Sequence, residues 1–380
     1  MKSIYLDYAA ATPLDKRVLK AMVPFFSKVF HNPSSVYLAA RQARQVLEQT
    51  RATIAKCLGA KTGEIIFTSG ATEANNMAIA GTMRQFPDGE ALVSAIEHES
   101  VLEPAKQFKH RLIPVDKHGL VDLNKLAKMI KPKTVLISLM YVNNEVGTIQ
   151  PLAKAAQFVK EVRQQRLKTK NDQPLYFHSD AAQAGNLFDL HVGRLGVDLL
   201  TINGGKIYGP KQSGALYVRA GTSLQPLILG GGQEFGLRSG TESLATAVGL
   251  AEALKLAQAK KTGELKRLQQ LSNLFSNQLK SQLPEATING HDKKKSPHII
   301  SVSLPGQDAE RLVMELDKHG IAAAVGSACS ASREDPSHVL KAMGLSEPMI
   351  RSSLRFSFGR ATTEADIKTT VLTLSKILAK

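Results

Sequence analysis

The amino-acid sequence predicts an α/β fold in which helices cover both faces of a mainly parallel sheet. Short β-branched or apolar segments alternate with amphipathic segments through the first two thirds of the 380-residue chain. This alternation is typical of βαβ units, whose crossover helices bury a parallel sheet between them. In such sheets ligands bind beyond the carboxyl ends of the strands, so we expect functional residues in the loops that follow them.

The predicted elements of this first part follow one another in regular order. Each predicted strand is short and rich in β-branched or apolar residues, and each predicted helix is amphipathic. The predicted strands span residues 64–68, 91–95, 134–139, 175–179, 197–201 and 214–218. The predicted helices include residues 36–58, 71–83, 124–130 and 152–165.

The last third of the chain has a different pattern and predicts a smaller α+β domain. A long helical pattern over residues 241–283 leads to predicted strands at 299–304 and 354–358, which flank helices. We therefore predict a large domain of residues 15–255 and a small domain of residues 1–14 and 256–380. The lysine-rich stretch 290–297 within the small domain is predicted to be a surface loop.

The composition indicates a folded, enzyme-sized protein with a basic surface. Lysine and arginine together number 49, against 33 aspartates and glutamates, which gives a formal net charge of +16. A field of this sign favours anionic partners such as phosphate cofactors, acidic proteins or RNA. Because the basic residues are spread along the chain, a solvated surface is the simpler interpretation, and direct nucleic-acid binding is not expected.

Two features bear on the location and the redox chemistry of the chain. No apolar run reaches the 18 or so residues that span a bilayer, and the first residues lack a basic segment followed by an apolar one. We therefore expect a cytoplasmic protein without membrane contact. Cys57 and Cys329 are the only cysteines, which excludes a disulfide framework and a cysteine-rich zinc site.

The common nucleotide, zinc and hydrolase motifs do not occur in the sequence. Lys206 follows two glycines, but a P-loop needs a glycine and a serine or threonine where Leu200 and Ile207 stand. Neither H-E-x-x-H nor G-x-S-x-G is found. The sequence therefore does not favour a nucleotide-dependent enzyme, a zinc enzyme or a serine hydrolase.

The loops after three predicted strands carry residues suited to a phosphate-bearing cofactor. At Ala71 and Thr72 a helix opens whose backbone N–H groups would bind a phosphate or simply form a capped end. Asp180, at the end of another strand, could cap a helix or hold a pyridinium nitrogen in its protonated form. Lys206 lies in a glycine-rich loop and is either a surface lysine or a candidate for covalent attachment of an aldehyde.

Taken with further motifs, these loops resemble the class V aminotransferases, in particular the cysteine desulfurases of the iron–sulfur assembly branch. The matching motifs occur in order at residues 5–13, 32–35, 68–73, 97–98, 142–147, 180–183, 206, 238–241, 326–329 and 355–357. The resemblance thus covers nearly the whole chain. It implies a homodimeric transferase of fold type I that depends on pyridoxal 5′-phosphate (PLP), with a seven-stranded sheet in the large domain.

The resemblance also implies a role for each matching residue. Lys206 would hold PLP and move protons, His98 would stack on its ring and act as acid or base toward the substrate thiol, and Asp180 would pair with the ring nitrogen. The residues implied to bind PLP are Lys206, His98, Ala71, Thr72, Asn144, Asp180, Gln183, Asn203 and Thr241, the last from the neighbouring subunit. The residues implied to bind L-cysteine are Arg355, Asn32 and Asn144. In a purely structural interpretation, His98 would be a satisfied core histidine and Arg355 part of an ion pair.

Cys329 separates desulfuration from the other reactions of this fold. It lies in a small, polar stretch without hydrophobic periodicity, which predicts a loop in the small domain, whereas Cys57 lies on the apolar face of a predicted helix. The resemblance implies that the Cys329 thiolate attacks the substrate sulfur, so that L-alanine leaves and a persulfide remains. The sulfur would pass to an iron–sulfur scaffold protein or a tRNA-thiolation enzyme. No resident metal is expected, although Cys329 could be a transient iron–sulfur ligand.

Four positions depart from the family pattern. Gly205 and Asn203 stand where a histidine and a phosphate-binding serine usually occur, and Tyr37 and Gln233 each replace a histidine. These departures put the affinity for PLP and the rate in question. Two alternatives to the desulfurase therefore remain, namely another class V PLP enzyme such as an aminotransferase or selenocysteine lyase, and a basic scaffold protein that has lost PLP.

Overall fold

A seven-stranded sheet is the largest element of the computed structural model, which describes residues 3–326 and 336–379. The strands are β1 (Ile4–Tyr5), β2 (Ile65–Thr68), β3 (Glu90–Ser94), β4 (His110–Ile113), β5 (Thr134–Ser138), β6 (Tyr176–Asp180), β7 (Leu199–Asn203), β8 (Gly214–Val218), β9 (Thr287–Asn289), β10 (Ile299–Ser303), β11 (Ile321–Ala322), β12 (Ala324–Val325) and β13 (Ser353–Ser357). The helices are α1 (Lys16–Met22), α2 (Pro24–Ser27), α3 (Leu38–Leu58), α4 (Ala71–Asn76), α5 (Thr82–Gln85), α6 (Glu99–Ala105), α7 (Leu123–Met129), α8 (Leu152–Lys168), α9 (Val192–Leu195), α10 (Leu244–Gln282), α11 (Ala309–Lys318), α12 (His338–Ala342), α13 (Glu347–Arg351) and α14 (Glu364–Leu378). Within the described ranges, none of these helices combines the length and the apolar character that a membrane crossing requires.

The order of strands in the main sheet is β2, β8, β7, β6, β5, β3, β4. Strand β8 runs antiparallel to both of its neighbours, and the other neighbouring pairs are parallel. This confirms the predicted mainly parallel, seven-stranded α/β sheet. The six predicted strands of this sheet end within two residues of the observed ends. The sequence analysis missed β4, because this edge strand is short and only Ile113 in it is buried.

Apolar side chains on both faces of the sheet hold the helices against it. Strands β5 and β8 are buried at every position, as expected for strands that helices cover on both sides. Helix α3 turns Leu47, Ile54 and Leu58 inward and ends at Gly59, whose φ of +64° is readily adopted only by glycine. Each fully buried side chain of this size contributes about 1.5–3 kcal/mol. The sheet is therefore a rigid base for the loops at its carboxyl edge.

The smaller part of the chain is built on an antiparallel sheet with the order β12, β13, β10, β9, next to a parallel pair of β1 and β11. Helices α11 and α14 cover it, and Phe275, Phe356 and Val371 lie in its apolar cluster. Helix α10 packs against α3 at one part of its length and against α14 at another. The predicted α+β character is confirmed, whereas the division at residues 14/15 and 255/256 stays a prediction.

The lysine-rich stretch 290–297 is only partly the surface loop that the sequence predicts. Lys295 is half-buried and residues 296–297 are buried, where the N–H of Ser296 donates to the carbonyl of Gly147 at 2.8 Å and Lys295 pairs with Thr148 in an isolated bridge. Burial lowers the pKa of Lys295 to about 8. The prediction was wrong for residues 295–297, since a run of charge gave no sign of this long-range pairing.

Candidate functional site

The carboxyl ends of five strands of the main sheet meet at one cavity. The loops after β2, β3, β5, β6 and β7 line it, and β13 of the small sheet adds one further residue. The cavity encloses about 280 Å³. Its lining residues are Ala9, Ala10, Ala71, Thr72, His98, Ser100, Met140, Val142, Asn144, Asp180, Ala182, Gln183, Asn203, Lys206 and Arg355. Nine residues that the resemblance assigns to the site are among them.

Lys206 is presented to the cavity by a tight turn that only small residues permit. A Cβ atom at Gly204 would clash with the hydroxyl of Ser213, so the chain can turn here only because no side chain is present. Asn203 caps this turn by accepting the N–H of Gly205 through Oδ1 at 3.0 Å. The Lys206 Nζ donates to the carbonyl of Ala10 at 2.5 Å. The amine is thus held at the cavity wall and not in bulk solvent.

Asp180 lies at the end of β6, buried and held by two donors. Its Oδ2 accepts from Nδ2 of Asn75 at 2.7 Å, and its Oδ1 accepts from the N–H of Ala182 at 2.8 Å. Asn75 is fully buried and uses its second amide hydrogen on the hydroxyl of Ser100 at 2.8 Å. The orientation of the Asp180 carboxylate is therefore fixed by a side chain that belongs to α4.

The same network reaches His98. The N–H of Ser100 donates to Nδ1 of His98 at 3.1 Å, and the Ser100 hydroxyl lies 2.8 Å from this nitrogen. Because a backbone N–H can only donate, Nδ1 is an acceptor and the ring proton of neutral His98 lies on Nε2. Asn75 thus connects the Asp180 carboxylate to the His98 ring through Ser100. The sequence analysis missed Asn75 and Ser100, since contacts 105 and 25 positions apart leave no local signal.

Glu97 lies beside His98 and is completely buried. Its Oε1 accepts from the N–H of Met140 at 2.6 Å. Burial, and then the nearby Asp180 carboxylate, raise the pKa of Glu97 well above its ordinary value, and the bond from Met140 offsets only part of this. The interior therefore favours the uncharged form of this carboxyl group over the charged one.

Arg355 reaches the cavity from β13, with only 2% of its surface exposed. One terminal nitrogen donates to Oδ1 of Asp7 at 2.8 Å, and the other donates to the carbonyl of Asn144 at 3.0 Å. Its buried Nε has no partner among the described residues. A cation in this setting suits a carboxylate ligand, because a guanidinium binds carboxylates with paired hydrogen bonds.

Gln183 is fixed from two sides. Its Nε2 donates to the carbonyl of Ala9 at 2.9 Å, and its Oε1 lies 3.3 Å from Nε2 of His298. Burial, and then the charge of Arg355, lower the pKa of His298 to about 4, so His298 is neutral and donates this bond. The other nitrogen of His298 lies 2.6 Å from the Ser296 hydroxyl.

Among the described residues, two that the resemblance assigns to the site do not line this cavity. Asn32 is exposed, and its Oδ1 accepts from the N–H of Ser34 at 2.9 Å. Thr241 is exposed in the single chain. Cys329 lies outside the described residues. Their roles stay predictions.

The residues of the cavity fit PLP. Helix α4 presents the N–H groups of its first turn together with the Thr72 hydroxyl, which suits a phosphate. The Lys206 amine suits the aldehyde, and the Asp180 carboxylate suits a ring nitrogen that carries a proton. Asn203 lines the cavity in the place of the usual serine. A Cβ atom at Gly205 would meet only ordinary contacts, the nearest at 3.4 Å. Glycine in the place of the usual histidine therefore leaves space at this position and does not distort the chain.

Comparison with known proteins identifies the family. The aminotransferase class V profile matches residues 4–369. The chain belongs to the class V aminotransferase family. Among curated relatives, the cysteine desulfurase IscS of Dictyoglomus turgidum is 40% identical over 386 aligned positions, which cover 100% of this chain and 95% of the relative.

Solved structures agree with this assignment. A NifS-like protein superposes with a TM-score of 0.90 at 32% identity and covers 100% of both chains. SspA in complex with cysteine superposes with a TM-score of 0.80 at 33% identity, over 94% of this class V chain and 99% of SspA. The class V chain has the activity of a cysteine desulfurase and uses PLP. The alternative of a scaffold that has lost PLP is thereby disfavoured.

Proposed function

We propose that this enzyme converts L-cysteine to L-alanine and retains the sulfur as a persulfide on Cys329. The observation that carries the proposal is the meeting of Lys206, Asp180, His98 and Arg355 at one cavity. The relative SspA was solved with cysteine bound, which supports this substrate. When bound, PLP supplies an electron sink that makes the Cα–H and Cβ–S bonds of an amino acid easier to break.

Arg355 and Lys206 set the position of the substrate and the proton transfer at its Cα atom. The Arg355 guanidinium binds the substrate carboxylate, with Asn144 beside it and Asn32 as a further candidate. Lys206 would hold the cofactor through its amine, and this amine is placed to carry a proton to and from the substrate Cα. Ala10, whose carbonyl accepts from Nζ at 2.5 Å, keeps the amine at the cavity between these steps.

His98 presents an N–H group to the cavity. Its Nδ1 accepts from the N–H of Ser100, so the ring faces the cavity with the proton on Nε2. In this tautomer the ring can donate a hydrogen bond to the sulfur of the substrate thiol. Asp180 would pair with the ring nitrogen of the cofactor, and Asn75 holds Asp180 in place through a 2.7 Å bond.

The sulfur-transfer step belongs to Cys329. Its thiolate attacks the substrate sulfur, a sulfur–sulfur bond forms as the carbon–sulfur bond breaks, and the carbon takes up a proton before L-alanine leaves. The step is balanced without an external oxidant, because cysteine and a thiolate give alanine and a persulfide.

The persulfide then passes to an acceptor in the cytoplasm. We propose an iron–sulfur scaffold protein or a tRNA-thiolation enzyme as acceptor, and a homodimer in which Thr241 completes the site of the neighbouring subunit. The net charge of +16 favours an acidic acceptor surface.

Alanine release tests the proposal. The purified enzyme is incubated with L-cysteine and a thiol acceptor, and L-alanine is measured for the wild type, Cys329→Ser and the matched thiol control Cys57→Ser. We expect Cys57→Ser to behave as the wild type, and Cys329→Ser to lose alanine release while it keeps the PLP absorbance band. Undiminished alanine release by Cys329→Ser would instead support a lyase, and consumption of L-cysteine without L-alanine would support an aminotransferase.

A further inference from the structure

Two described stretches of chain meet at one buried carboxylate, that of Glu145. The hydroxyl of Ser337 donates to Oε2 of Glu145 at 2.5 Å. A Cβ atom built on Gly326 would lie 3.3 Å from the same oxygen. Only 2% of Glu145 is exposed. Gly326 and Ser337 stand on either side of the sequence that contains Cys329, so one flank of this sequence is hydrogen-bonded to Glu145 and the other flank passes beside the same carboxyl group.

Ser337 is suited to this contact because its hydroxyl has one hydrogen to give. Its oxygen already accepts from the N–H of Leu340 at 3.1 Å as the cap of α12, so the hydroxyl hydrogen points to Glu145. The next residue adds a second tie, since Nε2 of His338 donates to the carbonyl of Glu97 at 2.8 Å. The start of α12 is therefore hydrogen-bonded to two loops of the main sheet.

Glu145 and Glu97, which hold the start of α12, are each adjacent in sequence to a residue that lines the cavity. Glu145 follows Asn144, whose carbonyl accepts from Arg355, and Glu97 precedes His98. The turn that carries Glu145 is rigid, because Oδ1 of Asn143 accepts from the N–H groups of Glu145 and Val146, each at 2.9 Å. Glu145 itself does not line the cavity. Glu145 is thus placed to hold neighbouring residues in position and not to contact the substrate.

We propose that Glu145 is a positioning residue for sulfur transfer, whose carboxyl group holds Ser337 by a hydrogen bond and thereby fixes the point from which the chain leads back to Cys329. The inference rests on the proposed function, since it concerns the step in which sulfur passes to Cys329. Neither the cofactor nor the substrate is bound by Glu145, so the earlier proton transfer by Lys206 is independent of it.

The contact needs an acceptor oxygen and not a charge. Burial raises the pKa of Glu145 to about 7, although the Ser337 hydroxyl and the charges of Arg355 and His98 lower it and Glu99 adds to the increase. A carboxyl group can accept from Ser337 in either protonation state. Glutamine has the same shape and one such oxygen, so Glu145→Gln should keep the bond that Glu145→Ala removes.

The experiment compares Glu145→Ala, Glu145→Gln and Ser337→Ala in the PLP-loaded full chain. The matched control is Ser346→Ala, because Ser346 occupies the cap position of α13 without any side-chain cap bond. Three quantities are measured: the exchange of the Cα hydrogen of L-alanine in D2O, the single-turnover rate of persulfide formation at Cys329 by mass spectrometry, and the backbone amide exchange of residues 336–343.

We expect Glu145→Ala and Ser337→Ala to slow persulfide formation about tenfold or more, the loss typical of one hydrogen bond to a carboxyl group. Both should speed amide exchange in residues 336–343 and leave Cα exchange within about twofold of the wild type. Glu145→Gln and Ser346→Ala should match the wild type in all three quantities.

Three results would overturn the inference: persulfide formation at the wild-type rate in Glu145→Ala, an equal loss of Cα exchange and persulfide formation, or a glutamine variant as slow as the alanine variant. Ser337→Ala keeps the test valid should Glu145→Ala fail to fold. A wild-type enzyme that forms no persulfide would refute the proposed function itself and the inference with it, so the two failures are distinguished by the wild-type measurement.

Discussion

Two buried glutamates should respond in opposite ways to the same conservative change, Glu→Gln. Glu97 and Glu234 are exposed by only 0% and 4%. Glu234 faces a cation, whereas Glu97 accepts from a backbone N–H and lies near another carboxylate. Both variants replace a carboxyl group by an amide in the same fold. The difference between their changes in unfolding free energy therefore reports the charge that each carboxyl group carries.

Glu234→Gln should destabilise the protein by about 3 kcal/mol. The carboxylate binds both terminal nitrogens of Arg51, at 2.7 and 2.9 Å, and also accepts from the N–H of Phe67 at 2.8 Å. Removal of one partner from a buried ion pair costs about 3–5 kcal/mol, because the remaining charge has lost its counterion. We expect the low end of this range, since the half-exposed Glu48 still lies 3.3 Å from Nε of Arg51.

Glu97→Gln should cost no more than about 1 kcal/mol of stability at neutral pH. Burial, and then Asp180, raise the pKa of Glu97 well above 4.5, so the fold favours an uncharged group at this position, and glutamine Oε1 can keep the bond from Met140. In the unfolded chain Glu97 releases its proton near pH 4.5. As the pH rises above this value, the wild type therefore loses stability that Glu97→Gln does not lose.

The assay is equilibrium unfolding in guanidinium chloride, with the midpoint and slope read for both variants at pH 5.5 and pH 7.5. Glu97→Gln should gain on the wild type between these pH values. A loss of about 3 kcal/mol in Glu97→Gln, or a loss below about 1 kcal/mol in Glu234→Gln, would show that we have assigned the charged and the neutral carboxyl group wrongly.

Three further substitutions test the cavity. Arg355→Lys should raise KM for L-cysteine about tenfold or more with a smaller change in kcat, because an ammonium cannot form paired bonds to a carboxylate; an unchanged KM in steady-state assays would count against its role. Gly205→His should tighten PLP binding about tenfold in absorbance titrations, since a Cβ atom at this position meets only ordinary contacts and a histidine would add a donor; weaker binding would refute this. Ser100→Ala should lower kcat about tenfold, because His98 loses the hydroxyl that lies 2.8 Å from its Nδ1 and Asn75 loses an acceptor; an unchanged kcat would show that Ser100 does not act on His98.

The sequence could predict the location of the site because the fold obliges certain loops to meet. Residues that follow parallel strands share one edge of the sheet, so the loops that carry Ala71, Asp180 and Lys206 had to converge once those strands were recognised. The structure brings these residues to one cavity together with His98 and Arg355. A pattern of strands followed by small polar residues was sufficient for this inference.

The contacts that orient the site could not be predicted in the same way. In the sequence, Asn75 has the pattern of an ordinary helix residue. Only folding brings it to Asp180, 105 positions away. Glu145 and Ser337 are separated by 192 positions and meet for the same reason. Such pairs carry no periodicity and no local motif, so they become visible only when the packing is known.

The most direct test of the account is mass spectrometry of the peptide that contains Cys329 after the PLP-loaded enzyme has been mixed with L-cysteine. We predict the added mass of one sulfur atom on Cys329, none on Cys57, and none on either cysteine when Lys206→Ala is treated in the same way. L-Alanine released by the wild type while Cys329 stays unmodified at every time point would contradict the proposed chemistry.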